Sequence, residues 1–169
     1  RPRRLCLSAG AAAAAVRPLR LPPADRPALP DLRQTGGGVV EHHLHMVGDQ
    51  VGAPTGAELL ADVAAHLVRT LQGVPSGDVR FGTYHVAARG ETTWYDYAAH
   101  VIGNARAAGE TLALPESALR RITTAEYPTP ARRPLNSRLD VSRVESVFGL
   151  TLPHWTVGVD RVLAEWRQP

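Results

Sequence analysis

Three prolines, Pro128, Pro130 and Pro134, decide what the stretch 126–140, EYPTPARRPLNSRLD, can become. Each fixes φ near −65° and removes a backbone donor, so neither a helix nor a central strand can pass through it. Each also drives the residue before it toward extended or polyproline geometry. The product is a stiff ribbon with little conformational entropy left to lose. It carries Arg132, Arg133 and Arg138, with Asn136 and Ser137 between them. A guanidinium fork matches phosphate oxygens in a bidentate way. Amide and hydroxyl groups supply the neutral donors and acceptors that read sugar hydroxyls. Two readings follow: a clamp for a phosphorylated sugar, or a solvated Pro/Arg surface loop.

The remaining residues bound these readings. A chain of 169 residues, 44% apolar, makes one domain, or one domain with a tail. The net charge of +3 is unevenly placed: residues 1–40 carry +5 and residues 41–169 carry −2. The ordered part therefore has no basic footprint for nucleic acid. The lone Cys6 excludes an intrachain disulfide and a cysteine-based zinc site. No apolar run approaches a membrane span and no signal peptide is recognisable, so the expected location is cytoplasmic. All 19 basic residues are Arg, which excludes any mechanism needing a Lys from this chain on its own.

Residues 1–40 are low in complexity. Arg, Pro, Ala and Gly make up 25 of the 40, with no sustained apolar period. The segment reads as disordered or poorly packed, or as the misread, frame-shifted start of a longer gene. Order is expected from residue 41. A short strand over 44–47 leads into the loop 48–55, GDQVGAPT, and then into a helix over 56–72 with Leu59, Leu60, Val63, Ala64, Leu67, Val68 and Leu71 on one buried face. Residues 81–87, FGTYHVA, suit a packed strand. Thr92 or Thr93 caps a helix reaching residue 108, with Trp94, Tyr97, Ala98 and Val101 on its apolar face. Another strand over 119–123 feeds the ribbon. Asp140 or Ser142 caps the next helix, Ser142 with Glu145 having capping-box spacing. Val141, Val144, Val147 and Phe148 pack inward and Gly149 ends it, and Pro153 opens a last helix to Trp166 with Trp155, Val159, Val162, Leu163 and Trp166 on its apolar face. Glu41, His42, His43 and His45 admit a metal reading, but the spacing is weak evidence for one, polar outward positions on a strand explain it, and no metal site is assigned.

Three stretches, LHMVGDQVGAPTGAELLADVAAHL, GTYHVAARGETTWYDYAAHVI and EYPTPARRPLNSRLDVSRVESVFGL with LPHW after it, stand in the order of one family. They resemble the C-terminal half of the dTDP-4-dehydrorhamnose reductases, extended short-chain dehydrogenases/reductases. The resemblance implies an α/β fold. It would be the incomplete, substrate-binding half of a Rossmann-type enzyme, with 1–40 as an appended segment and 41–169 as the sugar-nucleotide domain. It implies reduction of the 4-keto group of dTDP-4-dehydro-L-rhamnose by NADPH or NADH, with a dTDP-linked 4-keto-6-deoxyhexose as partner. Neither nucleic acid nor membrane is implied, and homo-oligomer formation would belong to the full-length protein. By the same resemblance Gly52, Pro54, Thr55, Arg133, Asn136 and Ser137 lie on the substrate side of the cleft.

The chain departs from the family in its chemistry. A G-x-G-x-x-G following a strand is missing, and Gly36 to Gly38 is a lone glycine run. The family's Tyr-x-x-x-Lys, in which the Lys lowers the pKa of the proton-donating Tyr, cannot be formed. No catalytic or cofactor-binding residue is therefore assigned, and no dinucleotide is expected to bind this chain alone. Three functions stay open: an incomplete reductase, a non-catalytic sugar-nucleotide-binding or regulatory module, and a truncated pseudo-enzyme. The second has a precedent in the family member that regulates methionine adenosyltransferase.

Overall fold

The computed structural model describes residues 6–9, 43–112 and 114–167. Of the segment 1–40 only Cys6–Ala9 is described. It forms a strand, β1, inside a stretch read from composition as disordered or poorly packed. The rest of that segment, Glu41 and His42 lie outside the described residues.

The order of elements is β1, β2 (Leu44–Val47), β3 (Val51–Gly52), α1 (Ala57–Leu71), β4 (Thr83–Val86), β5 (Thr92–Thr93), α2 (Trp94–Ala107), β6 (Leu119–Ile122), α3 (Ser142–Phe148) and α4 (Trp155–Trp166). Short 3-10 helices sit on both sides of β6, at Glu116–Ala118 and Thr124–Glu126. The strands form three two-stranded sheets. β1 runs parallel to β4, β2 runs parallel to β6 with Leu44 opposite Leu119, and β3 runs antiparallel to β5 with Gly52 opposite Thr92. A mixed α/β architecture with short strands is what the periodicities predict.

The main core joins α1, β4 and α3. The one-sided stripe of α1 buries Val63, Leu67 and Leu71 against Tyr84 and Val86 of β4 and Val144 and Phe148 of α3. β4 alternates as a half-buried strand should, with Tyr84 and Val86 inward and Thr83 and His85 outward. The Tyr84 ring meets Phe148 edge-on at 5.1 Å, and its hydroxyl donates to the Arg80 carbonyl at 2.7 Å. That bond satisfies the one polar atom of a ring that is 1% exposed. A second cluster of Ala88, Trp155 and Val159 joins α2 to α4, with Tyr97 and Val101 packed against it.

Several local expectations change. Val68 of α1, Val147 of α3 and Trp166 of α4, expected on buried faces, are 57%, 37% and 71% exposed. Trp94 is 36% exposed, so the first turn of α2 does not hold its largest ring in the core. Thr93 caps α2 as expected, accepting from the Asp96 amide at 3.1 Å. At α3 the Ser142/Glu145 capping box does not form. Asp140 accepts from the Ser142 amide instead, and Glu145 turns to Arg89, whose guanidinium donates to both its oxygens at 2.7 Å. Glu145 also accepts from the amide of Leu152, which is itself buried. One carboxylate thus ties the end of β4 to the turn before α4.

Glu145→Ala is expected to lower stability by about 1–2 kcal/mol, because the Leu152 amide is left buried without an acceptor while exposed Arg89 regains water. The Arg89 guanidinium, more than the Leu152 bond, holds the Glu145 carboxyl below its ordinary value. Its contribution is therefore full above the ordinary glutamate pKa and fades as pH falls through the lowered one. Urea titrations across that acid range should show the gap between parent and variant narrowing without vanishing, since a protonated Glu145 still offers the Leu152 amide a carbonyl oxygen. A gap that stays constant on acidification would refute the role.

Candidate functional site

The loop 48–55 and the ribbon 126–140 meet at β3. The Val51 amide donates to the Leu135 carbonyl at 2.8 Å, and the Ser137 amide donates to the Val51 carbonyl at 2.8 Å. Asn136 thereby sits beside Val51 in a parallel bridge. On its other side β3 pairs with β5, so a three-ribbon layer forms with β3 in the middle. The prolines explain why the ribbon contributes so few backbone bonds of its own. It docks through the proline-free residues 135–137 and leaves the proline-bearing part outside.

Gly52, Asn136 and Ser137 are therefore neighbours in one layer. Arg133 precedes this docked segment by two residues and is exposed. Among the described residues Arg132 and Arg133 make no ion pair or hydrogen bond, whereas Arg138 pairs with Glu91 at 2.6 Å and donates to the Asn136 side-chain oxygen at 3.0 Å. The Asn136 oxygen is thus occupied, while its amide nitrogen keeps its donors. The ribbon presents two unpaired guanidinium groups, an amide donor pair and the Ser137 hydroxyl.

Pro54 and Thr55 go elsewhere. Thr55 is 6% exposed; its hydroxyl donates to the Ala53 carbonyl at 2.9 Å and accepts from the Ala88 amide at 3.1 Å. With both roles filled, it fastens the loop to the end of β4. Pro54 lines a groove of about 130 Å³ between α1 and α4, with Gly56, Leu59, Ala88, Trp155 and Arg161, and no ribbon residue reaches it. That volume is below the 300 Å³ or more of ordinary small-molecule sites, so the groove is too small for a sugar nucleotide.

Side chains that the sequence reading passed over hold the layer in place. Arg121 of β6 donates to the Gly48 carbonyl at 3.0 Å and to Asp96 at 2.6 Å, and lies 4.4 Å above the Tyr95 ring. A side chain at Gly48 would collide with it: an added Cβ would stand 2.5 Å from the Arg121 stem. Asp49 and Gln50 both reach Thr124. Thr123 and Glu126 form the capping box that was expected at Ser142, with the same spacing. That T-x-x-E was visible in the sequence. The Asp49–Thr124 bond, 75 residues apart, had no local signal.

His43 and His45 stack at 6.2 Å, and among the described residues no group of three His, Cys, Asp or Glu could hold a metal ion. No helix of the described residues is long and apolar enough to cross a membrane.

The dTDP-4-dehydrorhamnose reductase of Escherichia coli K12 is 54% identical over 122 residues, and that of Salmonella typhimurium LT2 is 52% identical over 122. Each alignment takes in 72% of this chain but 39% of the relative, so the chain spans well under half the length of the curated relatives it matches. Among solved structures, a dTDP-4-dehydrorhamnose reductase from Clostridium acetobutylicum superposes with a TM-score of 0.61 at 27% identity, over 75% of this chain and 40% of that one. The reductase from Bacillus anthracis, solved in complex with NADP, shares the fold with a TM-score of 0.58 at 23% identity, over 78% and 44%. The RmlD substrate binding domain family matches residues 38–168, which include β2 to α4 and both halves of the layer at β3. This chain belongs to the RmlD substrate binding domain family.

Proposed function

We propose that residues 41–169 form the dTDP-sugar side of a dTDP-4-dehydrorhamnose reductase and that residues 1–40 lie outside this domain. The observation that supports it best is the docking of the ribbon on β3. It brings Asn136 and Ser137 beside Gly52 and leaves the guanidinium groups of Arg132 and Arg133 unpaired among the described residues. Exposed, unpaired cations on a proline-stiffened backbone are pre-organised for a diphosphate, since little entropy is lost when they bind one. The Asn136 amide donors and the Ser137 hydroxyl suit the oxygens of a sugar. In the intact reaction this face binds and orients the dTDP-linked 4-keto-6-deoxyhexose.

NADPH or NADH does not fit the described residues. Among them the strand-to-helix junctions before α1 and α2 are Ala53 to Gly56 and the direct passage from Thr93 to Trp94, and neither supplies a glycine-rich turn for a pyrophosphate. No Lys exists to stand beside a catalytic Tyr. Tyr97 is half-buried, and burial raises its pKa, the wrong direction for a proton donor that must ionise readily. No step of hydride or proton transfer is therefore assigned to this chain.

The missing groups also favour a second reading, a sugar-nucleotide-binding or regulatory module that needs no chemistry of its own. Both readings share two expected results, and a third measurement separates them. Mixed with NADPH and a dTDP-4-keto-6-deoxyhexose, the purified chain should leave nicotinamide absorbance unchanged. Titration calorimetry should still detect dTDP binding. Turnover that reappears when the N-terminal half of a relative is added as a separate polypeptide would favour the reductase reading over the module. A chain that takes up no dTDP would sink both.

A further inference from the structure

We infer that Asp49, acting through Thr124, is a positioning residue that fixes the root of the ribbon against the loop 48–55 and so sets where Arg133 and Asn136 stand. The inference rests on the sugar-nucleotide reading above.

The ribbon leaves and rejoins the same short piece of chain. At its root the Thr124 amide donates to both Asp49 oxygens, at 2.9 and 3.0 Å, and the Thr124 hydroxyl donates to Asp49 at 2.7 Å while accepting from Gln50 at 3.1 Å. At its far end Leu135 and Ser137 bond to Val51. Residues 49 and 51 stand at most about 7 Å apart along an extended chain. Residues 125–134 therefore form a closed excursion of the Ω-loop kind, exposed throughout and stiffened by three prolines. Because the excursion is stiff, moving its root moves the guanidinium groups it carries. The turn at the root is itself braced: Glu126 accepts from the Thr123 amide and hydroxyl at 2.7 and 2.8 Å, and the Tyr127 amide donates to the Thr124 carbonyl at 3.2 Å.

Asp49 is suited to this and to little else. Thr124 engages both its oxygens, and the same bonds hold its carboxyl below the ordinary aspartate value. A carboxylate facing a phosphate ligand would repel it, so a role in direct contact is unfavourable, and Thr124 already occupies both oxygens. Gly48 donates its amide to the Ile122 carbonyl at 2.8 Å, which continues the β2–β6 pairing up to the clamp. Asp49 thus converts strand register into ribbon position.

The test uses the full chain with dTDP as probe and four variants: Asp49→Ala, Thr124→Val, the double variant and Thr124→Ser. Each of the first two should weaken dTDP binding about tenfold, as expected for losing charge-assisted bonds that orient a site. The double variant should be no weaker than either single one, since both cut one network. Thr124→Ser keeps the hydroxyl and should bind like the parent. Amide exchange should accelerate at Thr124 and Tyr127 in Asp49→Ala and stay parental at Ser137. Should Asp49→Ala fail to fold, the Val and Ser variants at position 124 carry the same comparison. If the parent binds dTDP and the Val variant binds equally well, the positioning role is overturned and the sugar-nucleotide reading stands. A parent that does not bind dTDP overturns that reading and the role together. Unchanged exchange at the Thr124 amide in the Asp49 variant overturns the clamp itself.

Discussion

Leu67→Ala is expected to lower the unfolding free energy by about 2–5 kcal/mol, a large part of what a domain of this size possesses. Leu67 is 0% exposed and sits midway along α1, where the helix meets Tyr84 and Val86 of β4 and Val144 and Phe148 of α3. Three elements from separate parts of the chain share that contact, so the hole cannot close by shifting one side chain. The neighbour Val68 offers an internal control. It is 57% exposed, and Val68→Ala should stay within about 0.5 kcal/mol of the parent. Urea midpoints of the two variants test the pair. α1 starts two residues after the buried Thr55, so the same loss should loosen the loop 48–55 and raise exchange at the Ala88 amide, which Thr55 holds. Similar midpoints for the Leu67 and Val68 variants would mean that α1 is not docked as described.

How much of this could be read from the sequence depends on whether the interaction leaves a periodic trace. α1 and α4 bury one face each, so their apolar residues recur at helical spacing and their bounds fall within two residues of those expected. β4 buries alternate residues and was equally legible. β3 and β5 are two residues long, too short for any period, and the loop containing β3 read as loop throughout. The docking of Leu135 to Ser137 on Val51 uses backbone atoms, which every residue type except proline offers alike, so side-chain identity could not announce it. Capping boxes show the opposite failure. Ser142 with Glu145 and Thr123 with Glu126 have identical spacing, but only the second closes, because Arg89 and the Leu152 amide compete for Glu145. Thr55 was assigned to the substrate side with Gly52. Its hydroxyl is taken by Ala88, a partner 33 residues away that spacing could not reveal. The ribbon itself was the clearest signal, since proline chemistry restricts a chain wherever it ends up.

Arg133→Ala should weaken dTDP binding by about 1.5–3 kcal/mol, roughly a tenfold to hundredfold loss of affinity, while Arg132→Ala leaves it near the parental value. Both guanidinium groups are exposed and unpaired among the described residues, so availability does not separate them. Position does. Successive side chains of an extended segment point to opposite faces, so one of the two faces the docked layer and the other faces water. Arg133 precedes Pro134, which fixes the backbone just before Leu135 bonds to Val51. It is the arginine whose placement is transmitted most directly to Asn136 and Ser137. Arg138 cannot take over, because Glu91 and the Asn136 oxygen already engage it. Losing a charge-assisted phosphate contact is costly, whereas losing a solvated arginine costs almost nothing. The salt dependence of binding adds an independent check. An exposed phosphate contact is screened by added salt, so the parent should lose affinity from low to physiological ionic strength and the Arg133 variant should lose less. Titration calorimetry with dTDP on the two variants reads both effects. A larger loss at Arg132 would keep the ribbon as the clamp and exchange the faces; parental binding in both variants would remove the ribbon from the site.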